Sequence, residues 1–270
     1  MPDTIDKEEA IRAIVRTSVS QFATGFQARH IGDYDNPDGT INMKIHNVFI
    51  AALGPEIQYY TALVRSFDSS LGNMLEKMAI EIARLNFSVH RKVEGPLGPE
   101  QTNFIGLLLE AYKRRNRFPN IADYQELRQM TPKDTTEEKR HESDYFLIDR
   151  DTEHHYLIEL KIGGDLDNKK ARAEKEALLE QFAILTNTLS ADQNVSIRFA
   201  TAYNRYGEGQ PWSQGRVRQY FAEDELLIGK DFWNFVCGRD NGYQIVIDEY
   251  QRNASEITNA LETIKKTYLD

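Results

Sequence analysis

The sequence of 270 residues predicts a mixed α/β protein, with a central mixed sheet flanked by helices and a helical N-terminal half. Apolar residues recur at helical spacing through the first half, while the strand-like runs "DYFLI", "YLIELK" and "VSIRFATAY" occur only in the second. Between the second and third of these runs lies an amphipathic helical stretch, "DNKKARAEKEALLEQFAILTNTL". The whole reads as one domain over 1–270, in which 1–130 is mostly helical and 131–270 carries a hairpin, a sheet and a polar loop.

The opening segment, "DKEEAIRAIVRTSVSQFATGFQAR", sets Ile11, Ile14, Val15, Val19 and Phe22 on one helical face, with acids in the first turn where the helix dipole favours them. "HIGDYDNPDGT" is turn chemistry and ends it. A long helical pattern follows from about Ile41 to Phe87, broken near "FDSSLG", and its second part sets Leu71, Leu75, Met78, Ile82 and Leu85 on a stripe. "EGPLGPEQ" reads as a loop, a helix is expected over about Asn103–Arg115, and "NIADYQELRQM" suggests a short one. Thr131–Glu142 is a charged connector poor in apolar residues. "DYFLI" and "YLIELK" flank "DRDTEHH", which is a hairpin signal. The next helix has Asp165 or Asp167 as its cap, and turns Ala177, Leu178, Phe182 and Leu185 toward the sheet. After the strand "VSIRFATAY" comes "NRYGEGQPWSQGRVRQY", too long and polar for a simple turn. "DFWNFVCG" and Ser255–Tyr268 read as closing helices.

The single cysteine, Cys237, excludes a disulfide framework and fits a reducing compartment, and the charged N-terminus lacks the apolar core of a signal peptide. No run approaches the roughly 18 apolar residues of a membrane span. These features imply a cytoplasmic protein with no membrane partner. A formal net charge of −9 argues against a general polyanion binder, yet two stretches run against it. "YKRRNRF" has four positive charges and no acid, and Val195–Phe221 sets Arg198, Arg205, Arg216 and Arg218 against Glu208 alone.

The stretch "YLIELKIGG" carries an acid and an amine on a strand that otherwise reads as buried. Side chains alternate along a strand, so Leu157, Glu159 and Lys161 share one face, and Tyr156, Ile158, Leu160 and Ile162 the other. A hairpin centred on Asp151–Thr152 opposes Asp149 to His154 and Asp144 to Glu159. Directly opposed residues hold their Cβ atoms about 4.5–5.5 Å apart, so Asp144, Glu159 and Lys161 would converge. Two carboxylates that close repel unless a cation lies between them, and a hard divalent ion such as Mg²⁺ satisfies oxygen ligands. A slip of one residue would separate the acids, and Glu159–Lys161 alone reads as a simple ion pair rather than as chemistry.

"SDYFLIDRDTEHHYLIELK" resembles the active-site hairpin of the PD-(D/E)xK nucleases, with "SD" in the first element and "ELK" in the second. The longer run "LKIGGDLDNKKARAEKEALLEQFAIL" is similar to type II restriction endonucleases of the TdeIII family, and the likeness is strongest over Leu71–Phe235. Ser143 stands where the motif has proline. The resemblance implies a restriction-endonuclease-like fold, one or two Mg²⁺ ions held by Asp144 and Glu159, and Lys161 orienting the attacking water. It implies hydrolysis of double-stranded DNA at a short site of the GGNCC kind, leaving 5′-phosphate ends, by a homodimer in a restriction-modification system. It also points to Glu76, one position off the apolar stripe in "SLGNMLEKMAIEIA", as a helix glutamate aimed at the active site, with Gly72 easing the helix's approach. Glu81 has no comparable frame.

Further candidates surround this centre. Lys169 and Lys170 begin the helix after the motif, where amides and amines suit a phosphate. Arg172 and Lys175 interleave with Glu174, Glu176 and Glu180, the pattern of a solvated salt-bridge face. Arg205, Gln210, Gln214, Arg216 and Arg218 supply groups that read base edges, and Trp212 anchors their loop. His154 and His155 read as turn or surface residues, and His141 precedes the motif. A repair or junction-resolving nuclease with the same motif, or a non-catalytic protein with a structural Glu–Lys pair, is also compatible with these residues.

Overall fold

The computed structural model of the chain describes residues 2–130, 137–190 and 192–270, and the side chains among these except those of 2–6 and 137–144. In chain order its helices are α1 (Pro2–Gly32), α2 (Val48–Ala51), α3 (Pro55–Ala83), α4 (Pro99–Lys113), α5 (Ala122–Gln125), α6 (Asn168–Thr188), α7 (Gly215–Arg218), α8 (Lys230–Cys237) and α9 (Gly242–Leu269). The strands are β1 (Phe87–Leu97), β2 (Glu137–Asp149), β3 (His155–Leu160), β4 (Val195–Thr201) and β5 (Leu226–Ile228). The chain divides into two compact units, one of Met1–Ile82 with Gln244–Asp270 and the other of Ala83–Tyr243.

The first unit is helical. Phe26 of α1, Tyr59, Ala62 and Leu63 of α3 and Ile264 of α9 form its core with Ile41, and Phe22 and Phe67 pack against them. The ring of Phe26 meets that of Phe67 edge-on at 5.7 Å, an arrangement that adds to area burial. Polar ties join α1 to α9: Arg16 donates to Glu249 at 3.0 Å, and the Tyr268 hydroxyl donates to the His30 carbonyl at 2.8 Å.

The second unit holds a five-stranded sheet in the order β1-β2-β3-β4-β5. β1–β2 and β2–β3 pair antiparallel, whereas β3–β4 and β4–β5 are parallel, and α6 makes the crossover from β3 to β4. Leu157, Ile197 and Phe199 pack in one core with Leu108 and Leu109 of α4 and Leu178 and Phe182 of α6. The opposite face takes α8, where Phe235 stacks on Phe87 at 5.2 Å and meets Tyr156 edge-on at 4.9 Å. A mixed sheet between helices is the expected fold class and is consistent with the restriction-endonuclease-like fold.

Several boundaries depart from the sequence reading. The break expected near "FDSSLG" is absent, since the one helix α3 runs over Pro55–Ala83. Phe87–Leu97, part of it expected as a loop, is the edge strand β1, with Pro96 tolerated because an edge strand need not donate on both sides. β2 extends back to Glu137, into the segment expected to be a charged connector, whose residues 131–136 lie outside the described residues. β5 is a three-residue strand that no sequence pattern announced, and α9 starts at Gly242, well before Ser255. The α6 cap is Asp167, whose side chain accepts from the Lys170 N–H at 2.8 Å. Among the described residues no helix is long and apolar enough to cross a membrane.

Candidate active site

The β2–β3 turn sets the register on which the site depends. The Asp149 carboxylate accepts from the N–H groups of Asp151 and Thr152 at 3.0 and 2.8 Å, and Glu153 takes the left-handed φ of 56° that closes the turn. The Asp149 N–H donates to the His154 carbonyl at 3.0 Å, and from there Ile148 pairs with His155, Leu147 with Tyr156, Phe146 with Leu157 and Tyr145 with Ile158. These four pairs keep the expected register, which counted one step beyond them would oppose Asp144 to Glu159. The backbone of Asp144 belongs to β2, while the side chains of Asp144, Ser143 and His141 lie outside the described residues. On its other edge β2 breaks step with β1: His90 pairs with Phe146 but Lys92 with Glu142, so Ser143, Asp144 and Tyr145 oppose Arg91 alone. Such bulges re-aim the strand locally.

β3 ends at Leu160, but its course continues, because the Lys161 N–H donates to the Ala200 carbonyl at 3.0 Å and the Ala202 N–H to the Ile162 carbonyl at 3.1 Å. Glu159 and Lys161 therefore keep the same face, the one that meets α6. The Lys161 ammonium donates to Glu159 Oε1, and its Nζ lies 3.1 Å from Glu174 Oε1 on α6. Burial works against the Lys161 charge, but the two carboxylates outweigh it and hold the pKa well above the ordinary lysine value. The side chain stays a cation through the neutral range, in a setting where Glu159 is mostly shielded and Lys161 is about a third open.

The two glycines after Lys161 make room for the protein's own side chains. A Cβ at Gly163 would meet the Tyr203 hydroxyl at 2.6 Å, and one at Gly164 would meet Thr201 Cγ2 at 2.7 Å and Trp212 Cζ2 at 3.1 Å. Gly164 also has a φ of +64°, a conformation that side-chain-bearing residues avoid.

Glu174 and Lys175 correct the picture of a solvated helix face. Glu174 belongs to the Lys161 cluster, and Lys175 is fully buried, with Nζ 2.5 Å from the equally buried Glu225. His155 is likewise no surface residue: it is buried on β3 and stacks on Phe146 at 5.7 Å. His154, at the turn, bonds through Nε2 to Ser196 Oγ at 2.7 Å. Desolvation by burial lowers the pKa of both imidazoles.

Among the candidates for DNA contact, Lys169 and Lys170 are exposed on the first turn of α6. Arg205 pairs with Asp165 at 2.8 Å, and Gln214, nearly buried, donates to the same carboxylate at 3.2 Å. Arg218 donates to the Trp212 carbonyl at 2.8 Å and pairs with Glu223, whereas Arg216 is exposed; the Lys170 N–H lowers the pKa of Asp167 most, and Arg216 adds the least of the lowering charges. Trp212 is buried in the core as a loop anchor. Glu76 is half-buried on α3, within the helical unit.

Among the described residues no group of three or more His, Cys, Asp or Glu side chains could hold a metal. The Asp144 side chain is outside that set, and what is described is a pair of carboxylates sharing one ammonium. An all-oxygen donor set that already attracts a cation fits a hard divalent ion.

The family model described as "Type II restriction endonuclease, HinfI" matches residues 7–254. The chain belongs to this family. As a HinfI-family protein it is a type II restriction endonuclease, a nuclease that cleaves DNA at specific sites. The matched family is that of HinfI, whereas the run after "ELK" pointed to TdeIII. No curated protein matches the chain significantly.

Proposed function

We propose that this HinfI-family enzyme hydrolyses double-stranded DNA in a Mg²⁺-dependent reaction at a short site, through a PD-(D/E)xK centre of Asp144, Glu159 and Lys161. The observation that carries the reading is the Lys161 ammonium held between Glu159 and Glu174, on a hairpin whose register counts on to Asp144. Asp144 and Glu159 would hold the ion, one or two in number, and a Mg²⁺ bound there would supply Lewis acidity and offset charge at the scissile phosphate. Lys161 donates to the attacking water and to the phosphate oxygens where negative charge grows. Glu174, 3.1 Å from the Lys161 Nζ, would keep the ammonium in position while Glu159 serves as a ligand. The water oxygen bonds to phosphorus as the bond from phosphorus to the 3′ oxygen breaks; the water gives up its proton to solvent and the 3′ oxygen takes one from solvent, which leaves a 5′-phosphate and a 3′-hydroxyl.

Lys169 and Lys170 hold the backbone, and Arg205, Gln214, Arg216 and Arg218 face the bases. The protein acts in the cytoplasm as a single nuclease domain and as a homodimer, because a symmetric site calls for a two-fold operator. Membership of a type II family favours restriction over repair or junction resolution.

Plasmid cleavage with Mg²⁺ or with chelator tests the centre. Asp144→Ala, Glu159→Ala and Lys161→Ala should each cut at least about 100-fold more slowly, with discrete bands from the wild type. Full activity in Lys161→Ala or Asp144→Ala would sink the assignment. Sequencing the cut ends decides whether the site is of the GGNCC kind and whether the 5′ ends carry phosphate.

A further inference from the structure

The helical unit carries an apolar surface that its own core does not use. Phe49 is 83% exposed, Val48 68%, Leu53 66%, Ile45 61% and Val64 56%, and Ile57 is open on the same helix as Val64. Ile57 and Val64 are two turns apart on α3 and so share a face. The Asn47 side chain caps α2 through the N–H groups of Phe49 and Ile50, and Gln58 of α3 donates to the Ala51 carbonyl at 3.4 Å. The connection and the helix thus form one fixed surface.

Its size and charge identify what it fits. With roughly 150–200 Å² for a fully open side chain of this kind, the six residues leave on the order of 650 Å² of apolar area. That exceeds the usual largest patch of a monomer, about 300–600 Å², and approaches the roughly 800 Å² that one partner gives to a standard interface once a polar rim is added. Between Ile45 and Val64 the only charged residue is Glu56, in a chain that is 28% charged. A DNA-binding surface needs cations for phosphates, and a membrane-surface helix carries Lys and Arg beside its apolar face. A patch with one acid inside it, and with Lys44, Arg65 and Asp68 of both signs at its rim, meets its own copy with little like-charge repulsion, as an isologous interface requires.

We infer that the surface of α2, the turn before it and the outer face of α3 is where two copies of this chain join. The inference gives a location to the homodimer in the proposed function and rests on that part of it. Sedimentation equilibrium of the full chain tests it, with circular dichroism as the check on folding. The wild type should be a dimer, and Phe49→Asp and Leu53→Asp should each weaken dimerisation about 100-fold or more, since each dimer loses two buried anchors. Phe118→Asp, at an 81% exposed aromatic of the other unit, should leave the dimer intact. A monomeric wild type, a Phe49→Asp and Leu53→Asp pair that still dimerise, or dissociation by Phe118→Asp alone would overturn the inference. A monomer that cuts DNA would refute the surface but not the catalytic centre, and an inactive dimer broken by Phe49→Asp would do the reverse.

Discussion

Replacing Lys175 with methionine removes a charge from the best-shielded place in the catalytic unit. Lys175 and Glu225 have 0% exposure, with the ammonium 2.5 Å from the carboxylate and 4.8 and 4.9 Å from the ring centres of Tyr124 and Phe221. Burial pushes the Lys175 pKa down and Glu225 opposes it. The other oxygen of Glu225 accepts from the Ala222 N–H at 2.7 Å, so the pair ties α6 to the turn before β5. Methionine fills most of the lysine volume, but it leaves the carboxylate without its cation. Breaking one half of a buried pair costs about 3–5 kcal/mol. For a chain of this length each kcal/mol lowers the melting midpoint by roughly 2–4 °C, which gives a fall of about 6–20 °C. The assay is urea or thermal unfolding followed by tryptophan fluorescence. Both tryptophans of the chain, Trp212 and Trp233, are buried in the catalytic unit and report on it alone. The double variant Lys175→Met/Glu225→Leu should regain at least half of the loss, because no charge is left stranded. An unchanged midpoint in Lys175→Met, or a double variant weaker than the single, would refute the reasoning.

Other consequences follow from the same geometry. Gly164→Ala combines a positive φ with a Cβ contact at 2.7 Å to Thr201, and should cost about 1–3 kcal/mol by urea unfolding. Gly163→Ala, which meets only the far end of the half-exposed Tyr203, should cost less. His30, His154 and His155 all have pKa values lowered by burial, so the unfolded chain binds their protons more readily. Stability should therefore be full above the ordinary histidine pKa of about 6.5 and fall as pH drops through the lower folded values. Urea midpoints at pH 7.5 and 5.5 check this, and His155→Phe should flatten the slope. Arg216→Ala should weaken binding to cognate DNA by roughly 10–100-fold in a gel-shift titration. Arg205→Ala should cost less, because Arg205 must first leave Asp165.

What could be read from the sequence was whatever local chemistry determined. The polar cluster around Asp151 marks the hairpin, and once its centre is known, counting alone opposes Asp144 to Glu159; the observed pairs from Ile148–His155 to Tyr145–Ile158 follow that count. β1 was illegible because only Phe87, Val93, Gly95 and Leu97 are buried along it, and Gly95 and Pro96 imitate a turn. Its strand conformation comes from pairing with β2, a tertiary cause that no window of its own residues contains. Lys175 was misread for a different reason. Its charge suggested solvent, yet it lies on the buried stripe Ala171, Lys175, Leu178 and Phe182, so position on the helix outweighed residue type. Once Lys175 points inward, Glu174 turns about 100° away, toward the end of β3 and Lys161. The buried pair and the candidate active site are thus set by one rotation of α6. This gives Lys175→Met a second readout: if the pair holds that rotation, the folded fraction of the variant should cleave more slowly than wild type at equal folded concentration, and equal rates would mean that other contacts of α6 hold Glu174 in place.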